Sequence, residues 1–162
     1  MDDDQTLATA VRRLQELQRG FDAVRQRTLQ LCEPLVLEDY GVQPMADASP
    51  PKWHLAHTSW FFDTFILSPW QPHYATFHPA YAELFNSYYN GVGDPFPRAG
   101  RGNLSRPTLE EILAYRRFVD QGVVELIELF LQDPPACQIE KMVEVLELGI
   151  KHEQQHQEVL LT

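Results

Sequence analysis

The stretch that decides the fold is "PPKWHLAHTSWFFDTFIL", residues 50–67, in which apolar side chains occupy most of the positions. Pro50 and Pro51 suit the first turn of a helix, and Ser49 before them is a candidate N-cap. A helix that is apolar around most of its circumference has to be surrounded by other helices. The stretch therefore predicts a central helix of a helical bundle.

Three more long helices are predicted from apolar residues at helical spacing. The first covers about Asp4–Cys32, the third begins at Thr108, and the fourth runs from about Gln138 past His156. The first helix is predicted from the residues expected to face inward: Leu7, Val11, Leu14, Leu17, Phe21, Val24, Leu29 and Leu31. Thr108 and Glu111 form a capping box. Since no segment alternates apolar and polar residues as strands do, we predict an all-α, four-helix bundle.

A loop-rich excursion separates the second and third helices, from Ser68 to Pro107. It contains "HPAYAELFNSYYN", where one short helix can form, and the Gly- and Pro-rich "GVGDPFPRAGRGN". Loops this long inside a compact domain are often functional. We expect residues 1–162 to form a single domain.

Composition excludes several classes of function. The chain has 162 residues, is 44% hydrophobic and carries a formal net charge of -10. Nucleic acid and anionic membrane surfaces reward basic patches, so both are poor partners. No apolar run reaches the roughly 18 residues of a membrane span, and the acidic start lacks a signal peptide, so we expect a cytoplasmic protein.

Four histidines carry the predicted chemistry. His152 and His156 lie four residues apart on one face of the last helix, where two imidazoles can bind one metal ion. A third ligand is needed, and "KHEQQHQE" is polar throughout, so a solvated helix face is the alternative. His54 and His57 lie on the apolar second helix, where each needs a polar partner or a metal.

"HEQQH" also spells H-E-x-x-H, the signature of zinc proteases. The extended form of that motif requires Gly at 159 and His at 162. Here these positions hold Val159 and Thr162, and no strand is predicted that could align a peptide substrate. Proteolysis is therefore disfavoured, and we expect Glu153 and Glu158 to be exposed or to support the ligands.

Four stretches in order resemble the N-terminal domain of the ergothioneine-biosynthesis sulfoxide synthases (the EgtB family), a DinB-like four-helix bundle. They are "SPPKWHLAHTSWFFDTFIL", "LFNSYYNGVG", "RGNLSRPT" and "HEQQHQEVLLT", and the resemblance covers about residues 10–162. It implies a non-haem Fe(II) ion held by His57, His152 and His156. It thus selects His57 over His54, which would be a supporting or structural residue.

The resemblance also implies a reaction. In that family γ-glutamylcysteine or cysteine is joined to hercynine with O2, giving a sulfoxide. Gln155 would then face the hercynine imidazole, although a surface glutamine is an equal alternative. Arg98 and Arg101 have the spacing of a pair that contacts the carboxylate of the sulfur donor, and solvated loop arginines are the alternative. Three residues of the second motif receive no role: Asn86, Tyr88 and Tyr89.

The family pattern also includes a C-terminal domain that resembles the formylglycine-generating enzyme and supplies the catalytic tyrosine. It is not in these 162 residues, so we expect the chain to bind metal but to be catalytically incomplete, with no catalytic residue of its own. Zn or Ni could replace Fe(II), since the affinity order does not favour Fe(II). The alternatives are another DinB-like metal-dependent thiol transferase, an ovothiol- or selenoneine-type synthase domain, and a bundle without metal.

Overall fold

The computed structural model describes residues 3–87 and 94–162, and within these ranges all regular structure is helical. The α-helices are α1 Asp3–Cys32, α2 Pro51–Phe62, α3 Ser68–Trp70, α4 Tyr81–Leu84, α5 Leu109–Gln132 and α6 Ile139–Leu160. A π-helical turn, Asp63–Leu67, joins α2 to α3, and two 3₁₀ helices cover Leu37–Gly41 and Arg98–Asn103. This confirms the all-α fold. In the described part of the chain, no helix combines the length and the hydrophobicity needed to cross a bilayer.

The boundaries of the long helices follow the prediction with two differences. The capping box is confirmed, because Glu111 N donates to Thr108 Oγ at 3.2 Å and Thr108 N donates to the Glu111 carboxylate at 2.6 Å. The predicted cap at Ser49 is wrong, since Pro50 takes the N-cap position of α2. The second helix also continues through the π-helical turn to Trp70, so the excursion begins later than predicted.

The order of the helices explains the long excursion. α2 and α5 run in the same direction, because Arg116 bonds to Thr58 within α2 and Gly122, further along α5, contacts Leu67 beyond the end of α2. α1 and α6 pack on each other and run antiparallel to α2. Two consecutive parallel helices need a long crossover. The described residues 71–87 and 94–108 belong to this crossover, and α5 starts at the end of the bundle where α2 begins, where Lys52 bonds to the backbone oxygen of Leu104.

The inner face of α1 is apolar over most of its length and polar near its C-terminus. Four of the predicted core residues are buried: Leu14, Leu17, Phe21 and Val24. The prediction is wrong for Leu29, which is 40% exposed, while Arg25 and Thr28 are 3% exposed. Arg25 and Thr28 continue the helical spacing of Phe21, so the inward stripe itself becomes polar at this end of the bundle.

Candidate metal centre

Three histidines meet at the end of the bundle where α2 begins and α6 ends. His57 lies on α2, and His152 and His156 lie one turn apart on α6. One ligand nitrogen from each lies within 4.8 Å of the other two, and the Nε2 atoms of His57 and His152 are 3.2 Å apart. Two nitrogens bound to one metal at about 2.1 Å lie roughly 3 Å apart, so this spacing fits a shared ion.

The ring of His57 is fixed by a hydrogen bond and by aromatic packing. Its Nδ1 donates to the backbone oxygen of Phe85 at 2.6 Å, which leaves Nε2 available as a metal ligand. The ring stacks between Trp53 and Trp60, with centroids 4.5 and 5.4 Å away. Phe85 is the first residue of "FNSYYN" in the second family-like motif. This motif therefore helps to orient His57. Tyr88 and Tyr89 of this motif lie outside the described residues.

The three rings are neutral, as a metal requires. Burial lowers the pKa of His152 to about 4 and, together with the neighbouring histidines, lowers the pKa of His156 to about 2. Burial, together with His156 and His152, lowers the pKa of His57 well below its usual value. Within the part of the chain that the structure describes, His152 Nδ1 is buried without a hydrogen-bond partner. A shared ion would bind the other nitrogen, Nε2, which faces His57, and Nδ1 would then carry the single hydrogen of the neutral ring. The donor set therefore fits a divalent metal.

Glu153, the acidic residue of "HEQQH", is fully buried, and its carboxylate is bound by residues outside the histidine cluster. Its Oε1 accepts from Arg116 at 2.5 Å and from Thr28 at 2.7 Å, and its Oε2 accepts from Arg25 at 2.9 Å. Burial alone would raise its pKa, but the guanidinium groups of Arg25 and Arg116 lower it to about 2. A carboxylate held in this way cannot be the general base of a zinc protease. Of the two expected positions for Glu153, exposed or supporting the ligands, the exposed one is wrong, whereas Glu158 is exposed.

The ion network around Glu153 was not predicted from the sequence. Arg25 also bonds to Asp120 at 2.6 Å, and Arg116 donates to the backbone oxygen of Arg25 at 2.9 Å. The available signal was the position of Arg25 and Arg116 on the inward stripes of their helices. Two buried cations need a buried anion, and Glu153 is the one that lies opposite them.

A cavity of about 280 Å³ opens beside the histidines. Its wall contains all six predicted site residues: His57, His152, His156, Gln155, Arg98 and Arg101. The return of the chain along the bundle is what brings the 3₁₀ helix with the two arginines to the same end as the histidines. The arrangement can therefore hold a metal ion and a small polar or anionic molecule next to each other.

The two arginines of this wall differ in their surroundings. Arg101 is buried, with its guanidinium 3.4 Å from the ring centroid of Trp53 and bonds to Ser49 Oγ at 2.8 Å and Ser87 Oγ at 3.3 Å. Its side chain therefore holds the cavity wall together, and the alternative of a solvated loop arginine is wrong for it. Arg98 is only half-buried. Of the two, Arg98 is the more accessible to a molecule in the cavity.

His54 lies beside the three-histidine cluster and is not a member of it. It is 3% exposed, and its Nδ1 is 2.8 Å from Nδ1 of His156. The selection of His57 over His54 as the metal ligand stays a prediction.

The comparisons with known proteins concern the fold. A family model described as the DinB superfamily matches residues 20–160, a range that includes the three clustered histidines. No curated protein matches the sequence. The match extends over most of the chain and agrees with the helical bundle described above. The chain therefore belongs to the DinB superfamily.

Proposed function

We propose that this chain is the iron-binding domain of a sulfoxide synthase of the ergothioneine type, which joins γ-glutamylcysteine or cysteine to hercynine with O2. The observation that carries the proposal is the cluster of three neutral histidines opening onto a cavity with Arg98 and Gln155. A bound Fe(II) would supply Lewis-acid and redox chemistry toward a thiol and O2. Zn or Ni can take its place in the isolated domain.

The residues of the cavity have distinct parts in this proposal. The three histidines bind the ion as neutral rings and leave its positive charge uncompensated. Arg98 pairs with the carboxylate of the sulfur donor, since guanidinium groups bind carboxylates bidentately. Gln155 offers a neutral amide to a ring nitrogen of hercynine. Arg101 keeps the wall in place through Trp53 and Ser49.

The proposal extends beyond the residues of this chain. It includes a C-terminal domain resembling the formylglycine-generating enzyme, which supplies the catalytic tyrosine and much of the hercynine pocket. No residue of this chain is proposed to be catalytic. The cytoplasm remains the proposed location.

The test is ligand binding to the Ni-loaded chain, measured anaerobically by calorimetry. We expect γ-glutamylcysteine to bind and γ-glutamylserine to bind far more weakly, because a thiolate is the better ligand for this ion. Arg98→Gln should lower the affinity for γ-glutamylcysteine about tenfold, through loss of a charge-assisted hydrogen bond. Arg106→Gln, an exposed arginine outside the cavity wall, is the matched control. Equal binding of the two peptides would contradict the proposal.

A second candidate function is a DinB-like thiol transferase that acts without another domain. It is favoured by the cavity wall, which already combines the three histidines, Arg98 and Gln155 within one chain. Metal-dependent transfer of a small thiol to an electrophile by this chain alone would support it, and the absence of such turnover would favour the synthase domain.

A further inference from the structure

A fourth histidine, His54, contacts the cluster without belonging to it. It is 3% exposed, and its Nδ1 lies 2.8 Å from Nδ1 of His156. At this distance one nitrogen donates a hydrogen and the other accepts it. Which ring donates decides which nitrogen of His156 remains for a metal, because a neutral imidazole carries a single N–H.

The nitrogen that His54 occupies decides the direction of this hydrogen bond within the proposed metal centre. Nδ1 of His156 faces His54, so Nε2 is the nitrogen of His156 left for an ion. A neutral imidazole that binds an ion through Nε2 carries its single hydrogen on Nδ1. Nδ1 of His156 is then the donor, and Nδ1 of His54 is the acceptor.

We propose that His54 is a positioning residue of the metal centre, which accepts a hydrogen from Nδ1 of His156 and so fixes the tautomer with Nε2 free for the ion. The inference rests on the proposed metal centre and adds to it. The backbone oxygen of Phe85 acts in the same way on His57, where it accepts from Nδ1 at 2.6 Å. Such partners of metal-binding histidines orient the ring and raise its basicity. In both His57 and His156, Nε2 is then the nitrogen available to bind the ion.

The test compares two substitutions of His54. His54→Phe keeps a ring in the core and removes the acceptor, whereas His54→Asn keeps an acceptor near the position of Nδ1. We expect His54→Phe to weaken Zn(II) binding about 10- to 100-fold, the usual effect of losing such a partner, and His54→Asn to restore most of the affinity. His78→Phe, in the excursion, is the matched control and should bind as the parent does.

A second readout separates positioning from core packing. Nitrogen-15 NMR of the metal-free parent should show His156 protonated at Nδ1 and His54 at Nε2, and His54→Phe should shift His156 toward the other tautomer. Protonation of His156 at Nε2 in the parent would overturn the inference, even if His54→Phe fails to fold. Equal Zn(II) affinity of parent and His54→Phe would overturn it while leaving the metal centre intact. Absence of Zn(II) binding by the parent would overturn both.

Discussion

At the scale of single residues, the carboxylate of Glu153 is the group that connects three helices. It lies on α6 and accepts hydrogen bonds from Arg25 on α1 and Arg116 on α5. Glu153→Gln keeps the shape of the side chain and leaves both guanidinium groups without this counter-charge. Because breaking a buried ion pair typically costs about 3–5 kcal/mol, we expect the free energy of unfolding to fall by about that amount. Urea denaturation of the metal-free chain measures this.

The control for this substitution is Glu144→Gln. Glu144 pairs with Lys141 at 3.3 Å, and both side chains are exposed. Exposed pairs contribute little, so the denaturation midpoint should hardly change. Equal midpoints for Glu153→Gln and the parent would show that the buried network does not anchor α6.

Single residues also show what could be predicted from the sequence. The conflict between His57 and the apolar helix that carries it is visible in the sequence, and so is the four-residue spacing of His152 and His156. The partner of His57 is not, because the Phe85 contact uses a backbone oxygen and no side-chain type marks it. The inward position of Arg25 could be predicted from the helical spacing. Its anionic partner, Glu153, could not, because it lies on a helix distant in the sequence.

The approach of α6 to α2 gives a prediction at the scale of helices. A Cβ at Gly149 would lie 2.5 Å from Cε1 of Phe62 and 3.0 Å from Cε1 of Phe61, so the two buried rings or α6 would have to shift. A Cβ at Gly20 on α1 would lie 3.6 Å from Cδ1 of Ile150, an ordinary contact. We expect Gly20→Ala to raise the free energy of unfolding by about 0.5–1 kcal/mol, and Gly149→Ala to lower it by about 1–3 kcal/mol.

Thermal and urea unfolding of the two variants measure these opposite effects. Gly149→Ala should also weaken metal binding, because His152 follows Gly149 by three residues and moves with α6. Stabilisation by both substitutions would mean that α2 and α6 do not pack as closely as described.

The helices themselves were predictable because apolar spacing and the capping box at Thr108 are local signals. The parallel direction of α2 and α5 was not, since it depends on contacts such as that of Leu67 with Gly122, which are distant in sequence. The same holds for the approach of the Arg98–Asn103 helix to the histidines. The length of the excursion and the resemblance at Arg98 and Arg101 predict a functional role for it, which stays a prediction.

Buried histidines make the stability of the whole molecule depend on pH when metal is removed. Burial lowers the pKa of His152 to about 4 and that of His156 to about 2, from an ordinary value of 6.5. The unfolded chain therefore binds more protons below about pH 6.5, and the free energy of unfolding falls as the pH decreases. Glu153, with its pKa of about 2, acts in the same direction below its ordinary value of 4.5.

We accordingly expect the melting temperature of the chelator-treated chain to fall steadily from pH 7 to pH 4. His156→Asn should reduce the slope above pH 5, and His78→Asn, in the excursion, should leave it unchanged. A melting temperature that is constant between pH 7 and pH 5 would contradict the buried, neutral state of these rings.

The central claim is that His57, His152 and His156 form one metal site, and anaerobic Fe(II) titration of the intact chain tests it most directly. The parent and the control His78→Ala should each bind a single ion tightly, with a rise in melting temperature because the ion binds the folded state. His57→Ala should lose this ion and the thermal shift. Tight Fe(II) binding by His57→Ala, or none by the parent, would contradict the account.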